Sequence, residues 1–486
     1  MDSPHRYEGL AEVTKMAAPI VFGQFSYVVM QFVDQVMVAR LGTEELAATG
    51  PAGLWFFIFS TFFLGISGCV STFAAQSLGR GEQEQGASYA WQGVYIGLVG
   101  GVFGMAIWPF ADDLFGVMGH TAEVTRLEVQ YFRIRMAGFV FLCWQASLTS
   151  FFQAVNRPSV PMYTAWLANG VNLGLNYLLI YGKFGFPRME VAGAAWATVF
   201  AMGVQTAVLQ LVFLSPALDR VFKTRSQYAI NWQKVRELVR IGWPAGLSFF
   251  LDVFNWGVFT SFLVGRCGET QMAAHNVAIN FLHLIFMPAV GLNHAIAPIV
   301  GQWIGRDNIP MAKARTYTAL KIALCYMVAA GLCFAIFARP LTRTFFSTDP
   351  RVVEVAAVIL LLAAFYQGFD AVNIVVLGAL RGAGDTRWVM WAMSLGAYLF
   401  FLPLATFLCL QAVPLSRIPG VPAGWALPGL GWEAKGAWLG ATVYTIVLSG
   451  VIFWRFRSEG WRHIRIFERD RVSAPEEPSA DAPRTL

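Results

Sequence analysis

The residues best suited to chemistry are polar side chains inside long apolar stretches. The stretch FVDQVMVARLG, residues 32–42, places Asp34 within an apolar run that begins near Met16. Gln24, Tyr27, Gln31 and Asp34 are spaced by 3, 4 and 3 residues, so on a helix they share one face. If that helix crosses a membrane, this face must contact protein or water, because a carboxylate facing lipid is costly.

Similar polar groups recur at helical spacing farther along the chain. They are Asn169, Asn172 and Asn176; Ser248, Asp252 and Asn255; Asn276, Asn280 and His283; and Tyr366, Asp370 and Asn373. A carboxylate in such a pocket can exchange a proton near neutral pH, or it can coordinate a dehydrated Na+ together with other oxygens. We therefore expect Asp34, Asp252 and Asp370 to carry a coupling ion, with Asn172 and Asn176 beside Asp34. If the ion is Na+, Asp252 and Asp370 are its expected ligands.

A cavity with uncompensated acids and aromatic walls attracts organic cations. The 41 Phe and 17 Trp residues offer ample surface for cation-π contacts. The residues expected to face such a cavity are Tyr27, Gln31, Asn255, Asn280, Tyr366 and Asn373. The alternative for each polar residue is structural, because Asp and Asn also join membrane helices by hydrogen bonds. Arg133 and Arg135 are expected to snorkel or to pair locally with Glu128.

Composition places these residues in a membrane protein. Of 486 residues, 56% are hydrophobic and 13% charged, and the mean hydropathy is +0.54. A soluble globule of this length would have too few charges to cover its surface. About 20 apolar residues span a bilayer, and the sequence predicts twelve such spans. They lie near 17–38, 47–70, 88–110, 128–152, 160–182, 191–215, 240–264, 272–300, 318–338, 352–377, 388–411 and 436–455.

Basic residues predict the orientation. Lys and Arg gather in the segment 219–240 and after Trp454, and positively charged segments stay cytoplasmic. Both termini are therefore expected in the cytoplasm, without a cleaved signal peptide, and the net charge of +6 needs no nucleic-acid partner. The end of the chain, VSAPEEPSADAPRTL, has the composition of a disordered tail. The six cysteines show no CxxC spacing and are expected to be packing thiols.

An internal repeat divides the chain. VARLGTEELAATG (38–50) aligns with VGRCGETQMAAHN (264–276), and AQSLGR (75–80) aligns with GQWIGR (301–306) at the same offset of 226. Six spans per half make a parallel repeat, an arrangement in which secondary transporters place the substrate path between the halves. We expect an N-terminal lobe at 1–215 (spans 1–6), a cytoplasmic linker at 216–240, a C-terminal lobe at 241–458 (spans 7–12), and a cytoplasmic, partly disordered tail at 459–486.

The sequence motifs argue against an enzyme. There is no HExxH, GxSxG or P-loop motif, and RGAGDT (381–386) lacks the P-loop lysine. Without an ATP site or cofactor, the energy for transport would come from an ion gradient. A channel is the remaining class, but acids that the repeat does not duplicate suit alternating access better than a pore.

Four segments together resemble the multidrug and toxic compound extrusion (MATE) family. They are APIVFGQFSYVVMQFVDQVMVARLGTEELAA (18–48), NLGLNYLLIYGKFGFPRMEVAGAAWAT (172–198), AAHNVAIN (273–280) and LRGAGDT (380–386). The resemblance implies an all-α membrane protein of twelve helices in two pseudo-symmetric six-helix bundles that form a V. It also implies export of cationic, often aromatic drugs in exchange for Na+ or H+.

Within that resemblance, Asp34 matches the acid of the family's first helix, and Asn172 and Asn176 match its partners on the fifth. Asp370 matches the tenth-helix acid of the NorM-type branch, and Asp252 stands where that branch usually has Glu. The implied setting is a bacterial inner membrane, where the protein acts as a monomer on cationic small molecules. The alternative is a flippase for a lipid-linked precursor, since related exporters share the scaffold but line the cavity with basic residues.

Overall fold

The protein is described by a computed structural model that covers residues 3–345, 349–414, 426–468 and 470. Twelve long helical segments, numbered α1–α12, fill the described ranges. The first six are α1 Ser3–Ala39, α2 Thr43–Gly79, α3 Gln83–Ile107, α4 in two parts (Ala122–Ala137 and Phe139–Ala154), α5 Ser159–Tyr181 and α6 Glu190–Phe213. A turn at Trp108–Phe110 and a short helix Ala111–Gly116 extend α3.

The second six follow a linker helix at Pro216–Phe222. They are α7 Trp232–Val258, α8 Glu269–Gly305, α9 Ile309–Phe345, α10 Pro350–Ala383, α11 Thr386–Leu395 and α12 Glu433–Arg457. A π-helical turn Phe259–Leu263 and a 3-10 turn Val264–Cys267 extend α7, while a π-helical turn Gly396–Phe401 and a helix Leu402–Cys409 extend α11.

Ten of the described segments are long and apolar enough to cross a membrane. The other two are α4, which divides at Gly138 into two helices of 16 residues, and α5, whose three asparagines lower its hydropathy. All twelve predicted spans therefore fall on helices. The structure adds one feature that an all-α prediction omits, an antiparallel strand pair Ala412–Pro414 and Ala426–Pro428 between α11 and α12.

The repeat is visible in the packing. We call α1–α6 the N-lobe and α7–α12 the C-lobe. Within the N-lobe, α2 packs on α3 and α4, and α5 packs on α6; in the C-lobe, α8 packs on α9 and α10, and the end of α11 packs on α12. The turns after α2 and α8 also match, because Gly81 and Asp307, which are 226 residues apart, both adopt left-handed backbone conformations. The two six-helix bundles are thus pseudo-symmetric.

The lobes meet at one end of the bundle. The end of the bundle at which α1 begins is called the proximal end. The opposite end is called the distal end. Across the lobes, α1 packs on α8, α7 packs on α2, and α2 packs on α8. A Cβ on Gly79 would lie 2.2 Å from the Gln302 carbonyl oxygen, and one on Gly305 would lie 2.2 Å from that of Gln76. Only glycine permits these backbones to approach so closely.

Reciprocal hydrogen bonds reinforce this contact. Gln76 Nε2 donates to the Gly382 carbonyl oxygen at 3.0 Å, and Gln302 Nε2 donates to that of Ala154 at 2.7 Å. Each bond leaves one lobe and ends in the other, and the two are related by the repeat. Because both groups are buried, opening the proximal end would break these bonds before water could replace them.

The C-terminal segment is ordered as far as it is described. After α12, residues 461–468 fold back against the proximal end, with Trp461, Ile466 and Phe467 buried. The sequence predicts a partly disordered tail at 459–486, but its first residues are packed because three large apolar side chains have a surface to cover. The stretch VSAPEEPSADAPRTL lies outside the described residues.

Candidate functional site

The polar group of the N-lobe surrounds Asp34. Asn176 Nδ2 donates to Asp34 Oδ1 at 2.5 Å and to Asn172 Oδ1 at 3.0 Å, and Thr198 Oγ1 lies 3.5 Å from Asp34 Oδ2. Asn172 and Asn176 are buried on α5, so α1 and α5 come together as their polar stripes predict. Asn169, on the same stripe, instead donates to the Ser26 hydroxyl and carbonyl oxygens at 2.6 Å. The result is a pocket of oxygen and amide groups around one carboxylate.

Arg135 is a member of this pocket that sequence reasoning misplaced. It is expected to snorkel or to pair with Glu128, yet it is only 9% exposed and its guanidinium lies 4.4 Å from the centre of the Phe56 ring. Glu128 instead bonds to His120 Nδ1 at 2.9 Å. Arg135 interacts electrostatically with Asp34 and contacts Tyr131. The break at Gly138 lets this part of α4 turn its charge inward. The Asp34 pocket therefore contains a compensating positive charge.

Arg133 forms an ion pair, but with Asp112 of the short helix after α3 rather than with Glu128. Its Nη2 lies 2.5 Å from Asp112 Oδ2, and its guanidinium stacks on Trp108.

Thr198 is the other residue of the Asp34 pocket that the sequence did not single out. Thr198 lies within a largely apolar part of α6, and only the contact between α5 and α6 shows its position.

The polar group of the C-lobe contains two carboxylates. Asp252 on α7 and Asp370 on α10 lie close enough to interact electrostatically, and Asn373 is within hydrogen-bonding reach of Asp370. Ser248, Asp252 and Asn255 line a small cavity with Leu251, Met393, Ser394 and Tyr444. Two like charges at short range in a low-dielectric setting favour binding of a cation or a proton.

Unsatisfied polar atoms point to the same place. The side-chain oxygens of Asn255 and Asn373 are buried and accept no hydrogen bond from the described residues. Such groups are costly unless a ligand, water or ion completes them. Asn373 Nδ2 donates to the Thr445 carbonyl oxygen at 3.4 Å, which holds the side chain between α10 and α12. Tyr366, one turn before Asp370, is buried beside it.

The remaining predicted cavity residues are more exposed. Tyr27 accepts a hydrogen bond from Gln31 at 3.0 Å on the open face of α1. Asn280 donates to the Asn276 carbonyl oxygen at 2.8 Å on an exposed face of α8. Of the predicted cavity residues in the C-lobe, Asn255, Tyr366 and Asn373 are buried, whereas Asn280 is exposed.

The repeat gives the two lobes the same helical scaffold, but equivalent positions carry different polar side chains. The position equivalent to Asp34 is Thr260, which bonds to His275 Nε2 at 3.1 Å. His275 Nδ1 accepts from Trp438 Nε1 at 3.1 Å, and both rings are buried. A carboxylate pocket in one lobe thus corresponds to a closed aromatic cluster in the other. No cluster of three or more His, Cys, Asp or Glu side chains suited to a metal occurs in the described part of the chain.

Comparison with known proteins identifies one family model and several relatives that match most of the chain. The family model MatE matches residues 19–178 and 244–407. The chain is 27% identical over 459 residues to a probable multidrug resistance protein NorM of Bradyrhizobium diazoefficiens, covering 93% of this chain and 94% of that one. It is 29% identical over 447 residues to a protein of the same name from Pseudomonas aeruginosa, covering 90% and 88% of the two chains.

Solved structures share the fold. A transporter of the MOP superfamily from Pyrococcus furiosus superimposes with a TM-score of 0.81 at 20% identity, covering 94% of this chain and 97% of that one. A multidrug resistance MATE family transporter in its outward-facing conformation gives a TM-score of 0.81 at 20% identity over the same shares. A MATE transporter variant from Vibrio cholerae gives 0.80 at 18% identity, covering 95% and 100%. The chain belongs to the MatE family of multidrug and toxic compound extrusion transporters, and its relatives are of the NorM type.

Proposed function

We propose that this protein exports cationic, aromatic organic compounds in exchange for Na+ or H+ by alternating access. The observation that carries the proposal is the pair of interacting carboxylates, Asp252 and Asp370, inside the C-lobe. Carboxylates inside a membrane protein are expensive and usually mark an ion or substrate path. Asp34 supplies a second acidic pocket in the other lobe.

The pocket around Asp34 and the C-lobe pocket differ in net charge, and this difference indicates which of them binds a cation more strongly. Arg135 interacts electrostatically with Asp34, whereas Asp370 interacts with Asp252, a group of the same charge. The C-lobe cluster therefore attracts a cation more strongly. We infer that Asp252 and Asp370 form the principal ion site, with Tyr366, Asn373 and Asn255 supplying further oxygen atoms. Asp34, Asn172 and Asn176 form a secondary site.

The position of the lobe contacts supports the transport cycle. The lobes are joined by the buried glutamines of the proximal end, while Asp34 follows the α1–α8 contact at Ile20 by 14 residues, or roughly 20 Å along a helix. Asp34 thus lies on the distal side of the α1–α8 contact. With the basic segments and both termini in the cytoplasm of a bacterial inner membrane, this is an outward-open arrangement.

Ethidium transport in vesicles containing the purified protein tests the proposal. We expect ethidium to exchange against either a Na+ gradient or a proton gradient imposed alone, which would identify the coupling ion. Vesicles containing the Asp252→Asn and Asp370→Asn double variant are the control, because Asn has nearly the size of Asp but carries no charge.

Absence of ethidium movement under both gradients would contradict drug–ion exchange. Accelerated exchange of a labelled lipid-linked pyrophosphate in the same vesicles would then favour the flippase. We expect no such exchange, because the described C-lobe cluster contains acids rather than the basic residues that would hold a pyrophosphate.

A further inference from the structure

The C-terminal strap, defined as residues 461–468 with Asp470, connects the two lobes at the proximal end. It begins in the C-lobe, where Trp461 stacks on Phe456 of α12 with ring centroids 5.6 Å apart and donates to the Phe456 carbonyl oxygen at 2.9 Å. Just before the strap, Lys313 of α9 forms a salt bridge with Glu459. Lys313 holds the pKa of this surface carboxyl below its ordinary value. The start of the strap is therefore fixed to the C-lobe.

The other end of the strap is fixed to the N-lobe. Phe467 is 3% exposed and packs against Phe73 of α2 and Tyr89 of α3, with ring centroids 5.8 and 6.0 Å away. The guanidinium of Arg80, at the end of α2, lies 4.3 Å from the centre of the same ring and donates to both carboxylate oxygens of Asp470 at 3.1 and 2.5 Å. A buried aromatic ring and a two-point ion pair thus bind the strap to the N-lobe.

The strap also takes part in one of two similar contacts between the lobes, each of which is centred on a glutamate. On one side, Glu12 of α1 accepts from Arg315 Nε of α9 at 2.6 Å and from Trp303 Nε1 of α8 at 3.1 Å. On the other side, Glu237 of α7, 225 residues after Glu12, accepts from the Tyr89 hydroxyl, and the offset of 226 aligns Tyr89 with Arg315.

The second contact therefore lacks the guanidinium of the first, because a neutral phenol replaces Arg315. The Glu468 backbone N–H donates to Glu237 Oε1 at 2.7 Å and supplies an additional donor. The strap thus adds a hydrogen bond to the contact between Glu237 and Tyr89, which has no guanidinium.

We propose that the C-terminal strap is an intramolecular clamp that holds the proximal end closed and must leave the N-lobe before that end opens. The inference rests on the proposed alternating access. The clamp acts across the lobes because one anchor packs on α12 and the other on α2 and α3. Separation of α2 and α3 from the C-lobe would therefore stretch the short segment between Trp461 and Phe467. Release would expose Phe467 and the surface formed by Phe73 and Tyr89.

A native thiol provides a direct readout of proximal opening. Cys69 of α2 is fully buried, and its Sγ lies 3.8 Å from the Ile241 carbonyl oxygen of α7, at the contact between the lobes. In the full chain with the other five cysteines replaced by serine, the rate of alkylation by N-ethylmaleimide measures how often this contact opens. The measurement requires no transported drug.

Three changes weaken the N-lobe anchor: Phe467→Ala, Arg80→Gln, and a chain that ends at Arg462. The matched control is Arg462→Gln, since the Arg462 side chain lies in the strap and is 57% exposed. Among the described residues it forms a salt bridge only with Glu459, at 3.8 Å. We expect each of the three changes to accelerate Cys69 alkylation by roughly five- to tenfold and the control to leave it unchanged.

Equal alkylation rates in Phe467→Ala, the shortened chain and the control would overturn the clamp. If Phe467→Ala or the shortened chain aggregates, Arg80→Gln alone decides, because it alters an ion pair at the surface rather than the core. Absence of ethidium transport by the unmodified protein would contradict the proposed function instead, and it would leave the alkylation result intact.

Discussion

At the scale of the residue, the acids could be predicted from the sequence, but their partners could not. Asp34 and Asp370 are conspicuous because each interrupts an apolar stretch at a helical spacing from other polar groups. Thr198 and Arg135 are not, because neither belongs to a stripe. Their roles depend on the packing of α4 and α6 against α1 and α5, which one-dimensional periodicity does not contain.

The C-lobe acids should be required for coupling. We expect Asp370→Asn to lower gradient-driven ethidium transport by at least about tenfold, because loss of one of two interacting charges removes the field that holds the ion. Asp349→Asn on the same helix is the control, since Asp349 caps α10 at its exposed start and Asn also caps helices. Comparable rates in the two variants would contradict the assigned ion site.

Thr198 should support Asp34 through its hydroxyl group. Replacement by Val keeps the shape and removes the hydroxyl that contacts Asp34 Oδ2 and Asn172 Nδ2. We expect Thr198→Val to reduce ion-driven ethidium transport by roughly threefold, in line with the loss of about one hydrogen bond. Thr206→Val provides the comparison on the same helix, because Thr206 bonds only to the carbonyl oxygens of Phe141 and Met202. A similar loss in both variants would indicate a general packing defect.

At the scale of the element, the sequence predicts where helices lie better than how they bend. The twelve predicted spans all fall on helices, but the break of α4 at Gly138 and the π-helical turns at Phe259–Leu263 and Gly396–Phe401 were not predicted. A 3.6-residue period carries no signal for a local change of winding. These irregularities are set by contacts such as that of Phe259 with Phe401, which stack at 5.5 Å between α7 and α11.

The crossing of α2 and α7 depends on small residues. A Cβ on Gly246 would lie 2.3 Å from the Phe62 carbonyl oxygen, and one on Gly65 would lie 2.4 Å from the Gly246 Cα. We expect Gly246→Ala to separate the helices, to lower the thermal midpoint in detergent, and to destabilise the closed arrangement by about 1–3 kcal/mol. Gly257→Ala on the same helix has nothing within 4 Å of its new Cβ and should leave the midpoint unchanged. Equal midpoints would show that the crossing tolerates a side chain.

At the scale of the whole molecule, the repeat was the strongest sequence signal. The offset of 226 residues relates Gln76 to Gln302, and the structure shows both making equivalent bonds across the lobes. Sequence alignment could not show that the closure lies at the proximal end, because each lobe has the same helical pattern at both ends. Nor could it reveal the strap, which follows the last predicted span.

The conformation makes a prediction about water access from the two ends. Gln31 lies on an exposed face of α1 toward the distal end, whereas Cys69 is buried at the contact between the lobes. With the other five cysteines replaced, a charged, membrane-impermeant methanethiosulfonate should modify Gln31→Cys in intact cells and should leave Cys69 unmodified. Because the reagent reacts in water rather than in lipid, modification at position 31 would place the Asp34 stripe in an aqueous space open to the outside. Protection of that position would place the stripe against lipid instead, and the carboxylate would then need another path to water.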